Sequence, residues 1–239
     1  MIVVSNVSHH YGDLSVLDDI SFNLDKGSIT CLLGPSGCGK TTLLNLLSGG
    51  MPLQSGLIGG GPESGSAYLF QEPRLLPWKT LGDNIDLILK NLYEVDKRRE
   101  IIAEMLSLVE LEEFGDYYPH ELSGGMRQRG ALARAFAFPS DLLLMDEPFQ
   151  ALDPALKLNL IAVFQRLWKR DQRTALLVTH NIQEATLLGD RIMVLSNRPA
   201  KLIQSIENPV ERAVRTPYGK GVLELERKLY LTLTLDRIG

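Results

Sequence analysis

The chain has 239 residues and an ordinary globular composition, 44% hydrophobic and 23% charged, so it can bury a substantial core as one large domain. Its net charge of −4 argues against a nucleic-acid binder working through a broad basic face. No apolar run approaches the roughly 20 residues a membrane span needs, and no basic-then-apolar leader opens the chain. Its two cysteines, Cys31 and Cys38, lack framework spacing and read as reduced thiols of a cytosolic protein.

Taken in order, residues 2–8 and 19–24 read as strands separated by a turn at Gly12-Asp13, with Tyr11 just before it. The apolar run 29–33 leads into Gly34-Pro35-Ser36-Gly37-Cys38-Gly39-Lys40-Thr41, followed by Thr42 and a helical pattern of Leu43, Leu44, Leu46 and Leu47. The Gly, Ser and Pro of 49–65 are turn chemistry, with a short strand at 57–58, and 67–70 reads as a short buried strand ending at Gln71. Residues 80–122 change texture: Leu81, Ile85, Leu89, then Ile101, Met105 and Leu108 recur at helical spacing. This reads as a separate helical lobe. A helix over 125–138 follows, capped by Ser123, then a strand at 142–145 and a helix opened by Asp153-Pro154. Strand 175–179, helix 182–188 and strand 191–195 complete an alternation that implies a largely parallel sheet with right-handed crossovers. The tail adds one strand and a terminal helix carrying Val222, Leu223, Leu225, Leu229 and Leu231.

Three stretches carry chemistry. Gly34 to Thr41 fits G-x-x-x-x-G-K-[ST], a loop whose glycines let successive N–H groups face one anion before a helix N-terminus. Lys40 is expected to reach the β- and γ-phosphates of a nucleoside triphosphate, and Thr41 to ligate Mg²⁺. Cys38 reads as a small loop-filling residue rather than a redox sensor. Leu142 to Glu147 is an apolar strand ending in two carboxylates, where ligand sites of α/β sheets lie. Asp146 is expected to hold Mg²⁺ opposite Thr41, and Glu147 to polarise an attacking water. Leu122 to Gln128 gives a second glycine-bearing helix N-terminus, hence a second anion site where one nucleotide needs only one.

On these stretches the sequence resembles an ATP-binding-cassette ATPase. Gly34 to Thr41 matches the Walker A motif, Leu142 to Glu147 matches Walker B with the catalytic glutamate, and Leu122 to Gln128 resembles the family signature. In the same order Gln71 matches the Q-loop glutamine, Ala151-Leu152-Asp153 the D-loop, His180 the switch histidine and Tyr11 the adenine-stacking aromatic. The resemblance implies ATP and Mg²⁺ as cofactors, with Gln71 sensing the metal and His180 the γ-phosphate. It further implies a head-to-tail homodimer in which Ser123, Gly124 and Gly125 of one copy, with the D-loop Asp153, complete the other's ATP site.

The implied fold is a P-loop NTPase. Residues 1–75 and 123–205 would form the mainly parallel core with an antiparallel β-subdomain, 76–122 a helical subdomain and 206–239 the tail. Between Lys40 and Gln71 the chain is short and rich in glycine for the family, so a trimmed β-subdomain is expected. Gln150 departs from the small residue expected there and Gly130 from a β-branched or small apolar one, and Gly130 inside a helix should cost up to about 1 kcal/mol.

Phe70 to Trp78 and Ser196-Asn197-Arg198-Pro199 resemble the nitrate/sulfonate/taurine group of importers, which includes importers of vitamin precursors. The implied role is an ATPase peripheral on the inner face of the membrane. It would dock on permease subunits through the helical lobe and the Trp78 region, serving a substrate-binding protein indirectly, with no nucleic acid involved. A cassette acting mechanically on a membrane complex would carry the same motifs. DNA-repair cassettes would add coiled coils or zinc-binding insertions, and a P-loop kinase gives Leu122 to Gln128 no role.

Overall fold

The computed structural model describes residues 1–61, 65–150 and 152–235. Among those residues are two sheets, seven α-helices and three short 3-10 turns. The larger sheet runs β5 (Ser66–Leu69), β6 (Leu142–Asp146), β7 (Thr174–Thr179), β3 (Ile29–Leu33), β8 (Arg191–Leu195) and β9 (Leu202–Glu207). All its pairs are parallel except β8 with β9. Its central strands are continuous apolar runs because both faces are covered. Alternate residues serve the two faces. Ile29, Cys31, Leu33, Leu143, Met145, Ala175 and Leu177 pack into one apolar core; Leu32, Leu142, Leu144, Leu176 and Val178 pack into the other.

The second core lies under α1 (Lys40–Leu47) and a three-stranded antiparallel sheet of β2 (Leu14–Leu24), β1 (Ile2–Tyr11) and β4 (Ser55–Gly59). The β1 and β2 strands are longer than their sequence pattern suggests and meet at a turn where Gly12 takes φ +58°. Alternation is broken because Asn6 and Asp19 both adopt left-handed φ and irregularities interrupt the register. The Asn6 amide donates to Asp19 Oδ1 at 2.7 Å, fixing the kink.

The first core continues into α2 (Leu81–Leu89), α3 (Val95–Leu108) and α4 (Gly124–Ala137), and onward to α5 (Pro154–Asp171), α6 (Ile182–Leu188) and α7 (Lys220–Leu235). The helical stretch after Gln71 therefore shares its apolar core with the sheet. Thr80 caps α2, accepting the Asp83 N–H at 3.1 Å. Gly130 has a packing reason inside α4: a Cβ there would meet Leu81 Cδ1 at 2.5 Å, so the propensity cost accompanies a close approach of α2 to α4. In α7, Val222, Leu225 and Leu229 are buried while Leu223 and Leu231 are exposed.

Because the first five strands of the large sheet are parallel, their carboxyl ends line one edge. Leu33 registers with Thr179, Leu69 with Met145, and Asp146 with Val178. The segments following β3, β5, β6 and β7 thus emerge side by side. That edge is where separated motifs meet.

Candidate nucleotide-binding site

The loop from Gly34 to Gly39 joins β3 to α1. Gly37 and Gly39 take φ +76° and +123°, and a Cβ on Gly39 would come within 2.8 Å of Val16 Cγ1. No side chain caps the first turn of α1, so the amides of that turn are left without a side-chain acceptor. Lys40 is 4% exposed; its Nζ donates to Gly34 O at 2.9 Å and Pro35 O at 2.8 Å, and lies 3.5 Å from Glu147 Oε1. Cys38 is buried inside the loop, and burial pushes its thiol up, which fits filling rather than reactivity.

Opposite the loop, the end of β6 brings two carboxylates. Thr41 Oγ1 donates to Asp146 Oδ1 at 3.1 Å. Burial pushes the Asp146 carboxyl up while the Thr41 hydrogen bond pulls it down. The Tyr68 phenol on β5 is raised by burial and then by its neighbour Asp146. Glu147 stands at φ +46°, a strained position for an L-residue, held by its N–H on Val178 O at 2.9 Å. Its Oε2 lies 2.7 Å from His180 Nδ1. The histidine backbone is fixed in turn. Thr179 Oγ1 donates to buried Glu184 at 2.6 Å, and Lys157 of α5 pairs with the same carboxylate at 2.7 Å.

These groups line a cleft of about 420 Å³ bounded by Tyr11, Val16, Ser36, Gly37, Gly39, Lys40, Thr41, Thr42, Gln71, Asp146, Glu147, Gln150 and Arg198. Tyr11 is half exposed, with its hydroxyl 3.4 Å from Thr42 Oγ1, and offers a ring face at the cleft's rim. Thr41, Asp146 and Gln71 supply hard oxygen donors on one wall, the chemistry Mg²⁺ takes alongside phosphate oxygens and water. His180 reaches the cleft through Glu147.

The remaining residues singled out from the sequence lie elsewhere. Ser123 Oγ caps α4 by accepting the Met126 N–H at 3.2 Å, and Asp153 Oδ1 caps α5 by accepting the Leu156 N–H at 3.0 Å. A Cβ on Gly125 would meet Leu156 Cδ1 at 2.7 Å, so this glycine lets α4 approach α5. Gly124 is exposed, and a Cβ there would meet only Arg127 at 3.9 Å. None of the four lines the cleft. Ala151 lies outside the described residues.

Sequence reasoning assigned no role in the cleft to Val16, Gln150 and Arg198, nor to Tyr68 beside Asp146. Gln128, which in the sequence only ends the signature motif, is buried. Its Nε2 donates to Gln71 O at 3.1 Å and Pro148 O at 2.7 Å, tying α4 to both sides of the site.

A family model described as ABC transporter matches residues 17–150, more than half of the chain. The chain belongs to this family. Among curated relatives of the cassette, the aliphatic sulfonates import ATP-binding protein SsuB of Bacillus cereus is 39% identical over 238 residues, 95% of this chain and 93% of SsuB. The nitrate import ATP-binding protein NrtC of Synechococcus elongatus is 43% identical over 204 residues, which span 82% of this chain and 31% of NrtC. Among solved structures, the dimeric post-hydrolysis state of the ATP-binding cassette MJ0796 bound to ADP and Pi matches with a TM-score of 0.75 at 27% identity. The match covers 88% of this chain and 100% of that one. The fold is accordingly that of a P-loop NTPase, and the chain is an ABC ATPase that binds and hydrolyses ATP. No helix among the described residues is long and apolar enough to cross a membrane.

Proposed function

We propose that the cassette is the ATP-hydrolysing subunit of a membrane importer for a small solute, and that two copies close head to tail around ATP. The observation that carries this reading is the split of the site. One cleft gathers the phosphate loop, both carboxylates and Gln71, while the second glycine-bearing helix start lies apart, with Gly124 open to solvent. An ATP held in the cleft leaves an outer face for another copy's Ser123, Gly124 and Gly125, with Asp153 at the same interface. Phosphate charge neutralised from both sides favours the closed pair, and hydrolysis with product release favours the open one.

Within the cleft, Tyr11 stacks on adenine and the amides of residues 34–42 cradle the phosphates. Lys40 turns from its loop carbonyls to the β- and γ-phosphates. Thr41, Asp146 and Gln71 would hold Mg²⁺, which would supply neutralisation of phosphate charge. Glu147 takes a proton from the attacking water, and His180, 2.7 Å from it, orients the carboxylate and meets the γ-phosphate.

The import role is supported by the names of the SsuB and NrtC relatives, which favour it over a purely mechanical cassette. A sulfonate, nitrate, taurine or vitamin-precursor cargo follows from the same likeness. Residues 76–122 then act as the helical subdomain, and Trp78, 71% exposed just beyond Gln71, offers an apolar contact for a permease at the inner membrane face.

The test is Glu147→Gln. Hydrolysis is expected to fall by roughly 10²–10⁴ with ATP affinity retained, so that ATP-bound dimer accumulates in size-exclusion chromatography. Wild-type turnover by this variant would end the general-base assignment.

A further inference from the structure

The cleft carries a cation that none of these roles uses. Arg198 stands on the turn between β8 and β9 and lines the cleft with Tyr11, Val16 and Ser36. Its neighbours at the sheet margin are committed: Arg191 pairs with Asp25 and Glu207, and Arg212 and Arg215 pair with Asp190. Among the described residues, Arg198 has no carboxylate or carbonyl partner and is exposed.

The turn that presents it is braced. Ser196 Oγ donates to Asn197 O at 2.7 Å and accepts the Lys201 N–H at 2.9 Å. The Ala200 N–H donates to Val16 O at 2.8 Å, and Asp18 N–H to Ala200 O at 3.0 Å. Val16 in turn packs where a Gly39 Cβ would be, so Arg198 is tied through one strand to the floor of the phosphate loop. Charge points the same way. Lys40 is engaged by two carbonyls and by Glu147, and Asp146 adds a second carboxylate. A polyanion entering this cleft meets Arg198 as its uncommitted guanidinium, and phosphate is the group that a planar fork of N–H donors matches best.

We propose that Arg198 is a further nucleotide-binding residue whose guanidinium pairs with phosphate oxygens of the bound nucleoside di- or triphosphate from the Tyr11 and Val16 side. The pairing is made to the part of the phosphate chain nearer the nucleoside, so ADP retains it. The proposal rests on the reading of this cleft as the ATP site.

Calorimetric titration of the full chain with MgADP and MgATP at low and at high salt tests it, using wild type, Arg198→Ala, Arg198→Gln, Arg198→Lys and Lys40→Ala. Arg198→Ala and Arg198→Gln are expected to weaken both nucleotides roughly tenfold at low salt, the scale of one charge-assisted hydrogen bond at a partly exposed site. Arg198→Lys should recover only part of that loss, since it keeps the charge and loses the fork. The gap should narrow at high salt because the pairing is screened. Thermal midpoints without nucleotide should match wild type, since the side chain holds nothing in the fold. Arg198→Ala and Arg198→Gln binding within twofold of wild type, with Lys40→Ala impaired, would overturn the proposal and leave the cleft's reading intact. A loss that persists undiminished at high salt would overturn the phosphate pairing. A wild-type chain that binds neither nucleotide would remove the reading of the cleft and the proposal together.

Discussion

Two helices of this cassette begin on glycine-rich turns, and they begin differently. The start of α1 has no side-chain cap; Gly37 and Gly39 take left-handed dihedrals, and a Cβ on Gly39 would press against Val16. The start of α4 has a serine cap, and only Gly125 is pressed against another element. The first is a cradle whose opening helical turn has no side-chain acceptor inside the chain. The second is closed by its serine and keeps one glycine facing outward. A helix start with a serine cap holds its first turn in shape while it keeps Gly124 open, whereas an uncapped one is shaped for a ligand.

The contrast can be broken most severely at Gly124. Gly124→Glu places a carboxylate on an open surface, so folding and MgADP affinity should be unchanged. ATP turnover should fall by roughly 10²–10³, the scale of losing a donor to developing phosphate charge. Turnover at the wild-type rate would show that the α4 start serves no active site. A smaller effect is expected at the cradle itself. Gly39→Ala combines a φ of +123° with a Cβ 2.8 Å from Val16, and should destabilise the fold by about 2–3 kcal/mol in urea unfolding. An unchanged midpoint would mean that the loop can relax without cost. The smallest effects sharpen the difference within α4. Gly125→Ala drives a methyl to 2.7 Å from Leu156 and should cost about 1–2 kcal/mol. Gly124→Ala should stay within about 0.5 kcal/mol of wild type. Equal losses at the two positions would refute the assignment of packing to one and openness to the other.

Much of the architecture was legible because burial on both faces writes itself into the strands. Leu142 to Met145 and Ala175 to Leu177 admit no polar residue and sit where the alternation of helix and strand requires. The phosphate loop and the two acids were legible because their chemistry is local in sequence. Less visible was whatever depends on a kink or a crossover. The full length of β1 and β2 is hidden by Asn6 and Asp19, whose left-handed dihedrals break the alternation a reader relies on. Gly130 looked like a defect because its reason, Leu81, lies 49 positions earlier in the chain. The far wall of the cleft was equally hidden. Arg198 reaches Val16 through a turn braced on β2, and no spacing rule links those two positions. Gln150 was read as a departure from pattern, and its place in the cleft emerges only with the sheet edge assembled.

One primary amide has a mechanical consequence. Both protons of Gln128 point at carbonyl oxygens from different loops, one after β5 and one after β6. A carboxylate in its place would confront two oxygens with a third, so charge cannot substitute there. Any rigid rotation of α4 must either drag both loops along or break two bonds at once. The helix is therefore latched at one side chain to the backbone of both loops, one of them the segment that follows Glu147.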